Sequence, residues 1–315
     1  MDPIRAAEPR TDPTIDPAGG APPPCPSDVA CALRQAARAR YEAWASGTQT
    51  APPAQDDPCQ DFARLETHDF DLCVTERPKN PVLYLRESGD TEDVLPKDVE
   101  QGQIGDCSLL ATLLALSRSP EGRAVIKNAI VENRNDQGQV MSYTVTLHEP
   151  KDRWIFGKTF SGVKITVDPV YAEGHAVIAK DGDASEVWPL VLEKAFAQYV
   201  GGYNKLNQGS TANVPMEALT GRPATNLALE SYGEGRLERD LAAGKLVVLE
   251  TMTKFSGPKV DGMIPNHAYD VTGTERRHGE LYVTFSNPWG TSQPCPVPYA
   301  ELGRWFSRVD VGSVR

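Results

Sequence analysis

Gln101-Gly102-Gln103-Ile104-Gly105-Asp106-Cys107-Ser108-Leu109-Leu110-Ala111 is the stretch on which the reading of this chain turns. A polar loop with two glycines passes into an apolar run that continues to Leu116, and a cysteine stands at the junction. N–H groups at a helix start carry partial positive charge, which predicts a lowered thiol pKa and a sulfur able to attack a carbonyl. Gly102 and Gly105 allow a tight turn and a close approach to substrate, while Gln101 offers a neutral amide donor to an oxyanion. A buried cysteine in a helix-start turn is the competing reading of the same residues.

Q-G-x-x-G-D-C followed by a small and aliphatic helix resembles the nucleophile segment of the calpains, papain-like cysteine proteases with a two-lobed catalytic core. Two later stretches resemble the same family. Glu186-Val187-Trp188-Pro189-Leu190-Val191-Leu192-Glu193-Lys194-Ala195-Phe196-Ala197, with Gly202-Tyr203 and Leu219-Thr220-Gly221 after it, is similar to E-x-W-x-x-L-L-E-K-A-x-A leading to G-x-Y and T-G. Asn266-His267-Ala268-Tyr269-Asp270-Val271-Thr272 and Ser286-Asn287-Pro288-Trp289-Gly290 are similar to H-A-Y-x-V-T and N-P-W-G. The matches stand in the family's order across residues 85–290.

The resemblance implies an α+β fold of two lobes. The first, residues 75–210, is expected to be mainly helical and to carry Cys107; the second, residues 211–315, is expected to be antiparallel β and to carry His267 and Asn287. It implies that Cys107 is the nucleophile, His267 its base and later the acid for the leaving amine, and Asn287 the side chain orienting the imidazole. Trp289 would shield that hydrogen bond, Gln101 and the Cys107 N–H would hold the oxyanion, and Gly105 and Asp106 would support the loop. Asp98 and Glu186 fall where the family places calcium carboxylates in the first lobe, and hard oxygen ligands of this kind suit calcium. The chemistry itself requires no cofactor. Three positions depart from the pattern: Ser108 replaces a tryptophan, Asn266 replaces a glycine, and residues 291–296 lack the carboxylates of the family's second calcium loop.

Composition bounds the rest. The 315 residues suffice for one large or two modest domains, and a net charge of −11 argues against nucleic acid or an anionic membrane as the main partner. No run approaches the ~20 apolar residues of a membrane span, and Met1-Asp2-Pro3-Ile4-Arg5 does not open a Sec-type signal peptide. The expected location is a cytoplasm, or a target cell reached by a route without such a signal. Six cysteines, at 25, 31, 59, 73, 107 and 295, show no metal-ligand spacing, so free thiols are expected, with disulfides among the first four as the alternative.

Residues 1–74 lie outside the resemblance and read as an extension, disordered and Pro-rich, with short helices at 29–45 and 58–66. Strands are expected at 82–85, 142–148, 163–167, 245–251, 267–274 and 280–286. Helices are expected at 188–200, whose apolar stripe would brace the nucleophile helix, and at 237–243. The polar stretch 208–213 is the expected lobe boundary.

Three functions fit. The leading one is limited proteolysis of protein substrates by a cysteine endopeptidase. The alternatives are a degenerate calpain-like interaction module and a thiol-dependent deamidase or acyl transferase. The Ala-, Pro- and Arg-rich start would suit a bacterial effector or toxin whose producer holds a cognate inhibitor or immunity protein.

Overall fold

The computed structural model describes residues 77–315 apart from 154–156, 173, 182, 258–259 and 261. The two expected N-terminal helices, the linkers beside them and the first four cysteines lie outside the described residues. At the centre is α1, Cys107–Ser117, in which every residue from Ser108 to Ser117 is buried. A helix apolar on all sides belongs inside a core. Its polar members are satisfied locally: Thr112 Oγ1 donates to Ser108 O at 2.8 Å and Ser117 Oγ to Leu114 O at 2.8 Å.

Elements follow in order around it. Strand β1, Pro81–Val82, is short, so the expected strand through residue 85 is not formed. After α1 come α2, Pro120–Ala129, capped by Ser119 Oγ accepting from Gly122 N, and an antiparallel sheet of β2 (Ile130–Arg134), β3 (Val140–Arg153) and β4 (Gly157–Val167). Strands β5, Lys180–Asp181, and β6, Ala184–Glu186, complete a small sheet with β1, where Val82 lies opposite Glu186. Then come helices α3 (Trp188–Val200), α4 (Tyr203–Leu206) and α5 (Asn213–Thr220), the first with the bounds that its stripe predicts.

The remaining strands form one six-stranded sheet in the order β11-β10-β9-β8-β12-β7. They are β7 (Thr225–Ala228), β8 (Leu246–Thr251), β9 (Ala268–Arg277), β10 (Glu280–Ser286), β11 (Val297–Pro298) and β12 (Phe306–Gly312), with α6, Glu234–Ala242, before β8. The β9–β10 hairpin closes on His278 and Gly279, both at positive φ, the geometry whose twist matches paired strands.

Two apolar clusters share this sheet. Leu246, Val248 and Ala268 point into the cluster that holds α1 and α3, whereas Val247, Leu249, Tyr269 and Val271 point into the other. Side chains alternate along a strand, so β8 is buried on both faces, which is why it reads as a continuous apolar run. One expectation changes: the part before residue 221 is helical plus a sheet with strands of 14 and 11 residues, not mainly helical. Met216, Ala218 and Leu219 of α5, just past the expected boundary at 210/211, bury in the α1 cluster.

Candidate active site

The loop before α1 is held by contacts that only glycine permits. A Cβ on Gly102 would stand 1.9 Å from His175 O, and one on Gly105 would stand 2.6 Å from Asn207 O. Gly105 N also donates to Asn207 Oδ1 at 2.8 Å. Gln101 is buried; its N–H donates to Pro288 O at 2.7 Å and its Nε2 to Ile104 O at 2.7 Å. The first bond ties the glutamine loop directly to the Asn287-Pro288-Trp289 segment. Gln101 also lines the cleft, and its side-chain amide lies within hydrogen-bonding reach of Asp106.

His267 precedes β9 and is clamped through its backbone by Thr251 at the end of β8. The His267 N–H donates to Thr251 Oγ1 at 2.8 Å, and the single proton of that hydroxyl is shared between Ile264 O at 2.7 Å and His267 O at 3.0 Å. Its Nε2 donates to Asn287 Oδ1 at 2.9 Å. The Asn287 amide can stand only this way round: Nδ2 donates to Ser292 O at 3.1 Å, and Oδ1 also accepts the Trp289 N–H at 3.0 Å. Nδ1 is therefore the nitrogen left for the thiol proton. The ring is boxed by Trp289, centroid 5.1 Å away, and by the edge-on Tyr269 at 5.0 Å.

Asn266, where the family carries glycine, has φ +53°, and asparagine is among the few other residues that adopt this left-handed region readily. Ser108 faces Ser210, oxygen to oxygen at 3.1 Å. Both departures thus have a local accommodation.

Cys107 is half-buried and free, whereas Cys295 is disulfide-bonded, against the expectation of free thiols. Cys107, His267, Gln101, Gly105 and Trp289 line one cleft of about 480 Å³, and Asn287 sits behind His267, 1% exposed. The thiol also feels the main-chain N–H of Ala268, the residue after His267. Burial nevertheless pushes the thiol up to about 12, with Asp106 and Glu250 adding to the rise, and burial lowers the imidazole to about 4. The helix-start effect expected to lower the thiol is outweighed, and the resting pair is a thiol and a neutral imidazole.

Asp106 is 1% exposed and lies behind the nucleophile within hydrogen-bonding reach of Gln101 and Glu193. Both of its oxygens, Glu193 Oε1 and Gln101 Oε1 are buried with no ordinary donor. Burial raises both acids, and one proton shared between Asp106 and Glu193 would satisfy one oxygen of each. Glu193 and Thr251 are members of this site that their positions in sequence, on an apolar helix and at a strand end, did not reveal.

Asp98 and Glu186 are buried away from the cleft. Asp98 Oδ2 accepts Leu95 N at 2.6 Å and Glu186 Oε1 accepts Leu85 N at 2.7 Å. Burial raises them to about 6 and about 8, and Asp98 is among the charges raising Glu186. Among the described residues no group of three or more His, Cys, Asp or Glu is set to hold a metal, so these side chains alone fall short of the six to eight oxygens that calcium takes.

The family profile described as calpain family cysteine protease matches residues 75–296. Calpain-13 of Rattus norvegicus is 28% identical over 209 residues, covering 62% of this chain and 29% of that protein. Calpain-9 of the same animal is 28% identical over 240 residues (70% and 33%), and calpain clp-1 of Caenorhabditis elegans is 26% identical over 265 (77% and 32%). The chain thus spans about a third of the length of these relatives. With a match over more than half of its length, the chain belongs to the calpain family of cysteine proteases.

Proposed function

We propose that the protein is a cysteine endopeptidase that cuts a limited set of protein substrates through Cys107, His267 and Asn287, with Gln101 at the oxyanion. The observation that carries this is the 2.9 Å His267–Asn287 bond behind an imidazole that shares its cleft with Cys107. His267 Nδ1 takes the thiol proton, and the thiolate adds to the peptide carbonyl. The oxyanion is held by the Gln101 side-chain amide, turned from Asp106 towards the cleft, and by the Cys107 N–H. Collapse expels the amine, which takes its proton from the imidazolium, and leaves a thioester. Water, deprotonated by His267, then releases the acid and restores the thiol.

Neither group is charged at rest, so the proton passes from sulfur to His267 as the sulfur attacks the carbonyl. Two apolar clusters meeting along β8 and β9 support a two-lobed papain-like arrangement, with the first lobe running through α5. We propose that no cofactor is required and that any calcium at Asp98 and Glu186 would act structurally, completed by main-chain or water oxygens. No described helix is long and apolar enough to cross a membrane. Action in a cytoplasm, as an effector guarded by an inhibitor or immunity protein, suits the residues outside the family match. A proteomic comparison of new N-termini in cells expressing wild type or Cys107→Ala tests the function: sites dependent on Cys107 are expected. Mass shifts of glutamine to glutamate without new termini would instead establish the deamidase, and neither would leave the interaction module.

A further inference from the structure

Glu250 is the single acidic side chain among the described residues lining the cleft of Cys107 and His267. It lies on β8, opposite Ala268 of β9 on one side and Arg308 of β12 on the other, half-buried. Its Oε1 accepts the Ala212 N–H at 3.0 Å. Behind it stands Asp310, on the same face of the neighbouring strand and 0% exposed. Asp310 Oδ1 accepts from Asn213 N at 3.1 Å and Asn226 Nδ2 at 2.8 Å, while Oδ2 has no donor and the carboxyl is within hydrogen-bonding reach of Glu250. Two carboxyls so placed keep one proton between them and one negative charge.

No described cation stands within ion-pair distance of that charge, and Arg308, opposite on β12, acts on it only from farther off. Arg308 commits its Nε to Asn226 Oδ1, and Glu250 makes no ion pair with a described residue. A half-buried carboxylate on the wall of an otherwise neutral peptide cleft gains most from a cation supplied by the ligand. We propose that Glu250, backed by Asp310, selects a lysine or arginine side chain at one position of the polypeptide bound in the cleft. The inference rests on the peptidase reading for the ligand being a polypeptide. When the cation docks, the shared proton passes to water and the carboxylate closes on the ammonium or guanidinium.

Burial and Asp310 hold the Glu250 acid up at about 8, so the selection strengthens as pH rises from 6 to 9. The charged and titratable groups around it are Asp310 and Arg308 from β12, Cys107 from α1, and His267 at the cleft wall. The buried Asp106 behind Cys107, raised to about 7 by burial, also titrates in that range, so the Glu250→Gln protein measured at the same two pH values isolates the share that belongs to the Glu250–Asp310 pair.

The test is affinity selection of a hexapeptide library, each peptide carrying one Lys, Arg, norleucine or citrulline, on Cys107→Ala protein and on Cys107→Ala/Glu250→Gln protein. Retention of the basic peptides about tenfold above their neutral counterparts at pH 8.5, at one position, is expected, as a charge-assisted hydrogen bond provides. The ratio should shrink at pH 6 and vanish in the Glu250→Gln protein. Gln keeps the acceptor for Ala212 and gives Asp310 a donor, and its retention of neutral peptides reports an intact cleft. Equal retention of basic and neutral peptides by the Glu250 protein, or an unchanged preference after Glu250→Gln, overturns the proposal. Incubating the retained peptides with wild type judges the hydrolase separately: binding without cleavage would sink that reading and leave the basic selection standing.

Discussion

Asn287 has every polar atom committed: its N–H to Gln293 Oε1 at 2.8 Å, its carbonyl to Gln293 Nε2 at 3.2 Å, its amide to Ser292 O, and its Oδ1 to both His267 and Trp289. Asn287→Ala frees the imidazole and orphans the Trp289 N–H, so kcat is expected to fall by ~10²-fold or more with KM little changed, measured on a fluorogenic peptide. Gln101→Ala removes one oxyanion donor and should cost ~10²–10³ in kcat, again with little effect on KM; unchanged turnover removes it from the mechanism. With the thiol near 12 and the imidazole near 4, the resting site holds its proton on sulfur throughout the neutral range. Alkylation of Cys107 by iodoacetamide in the free protein should therefore keep rising with pH from 7 to 9. A plateau from pH 5 upward would mean a preformed ion pair. The identities of these residues were legible because each sits in a short motif of family-like spacing. The thiol's state was not, since it depends on how much water the cleft walls exclude, and those walls include Glu250, which only three-dimensional packing brings there.

At the scale of elements, the helix that begins at Cys107 and the strand that follows His267 are joined by an ion pair with a buried carboxylate. Arg118 Nε, just beyond α1, donates to Asp270 Oδ2 of β9 at 2.5 Å; Asp270 is 1% exposed and Arg118 remains about a third open. Asp270 is raised to about 6 by burial, with Arg118 opposing the rise. Removing the guanidinium leaves a buried carboxylate unmatched, so Arg118→Ala should cost about 3 kcal/mol in urea unfolding at pH 8. The native acid binds its proton more tightly than the unfolded one, so this cost should fade towards pH 5, where Asp270 is neutral. An equal cost at both pH values would mean the pair contributes only packing. Strands β8 and β10 and helix α3 could be read from alternation and stripe. The insertion of β12 between β8 and β7 could not, because pairing across more than fifty residues leaves no periodic trace.

The molecule as a whole carries buried acids whose pKa values are raised: Asp98 to about 6, Glu186 and Glu250 to about 8. Each binds its proton more tightly in the native state, so each contributes stability at low pH that is lost as pH rises through its folded value. The melting temperature should fall from pH 6 to pH 9, and Glu186→Gln should melt above wild type at pH 9. Calcium that raised the wild-type melting point at pH 9 and not that of Glu186→Gln would place an ion there; chelator without effect on melting or activity would exclude it. The most direct test of the account is covalent labelling by an epoxysuccinyl inhibitor, read by intact mass and by residual peptidase activity. One label per chain, mapped to Cys107, with activity lost in proportion and both abolished in His267→Ala, is the predicted result. A reagent that leaves Cys107 untouched while peptidase activity persists would contradict it.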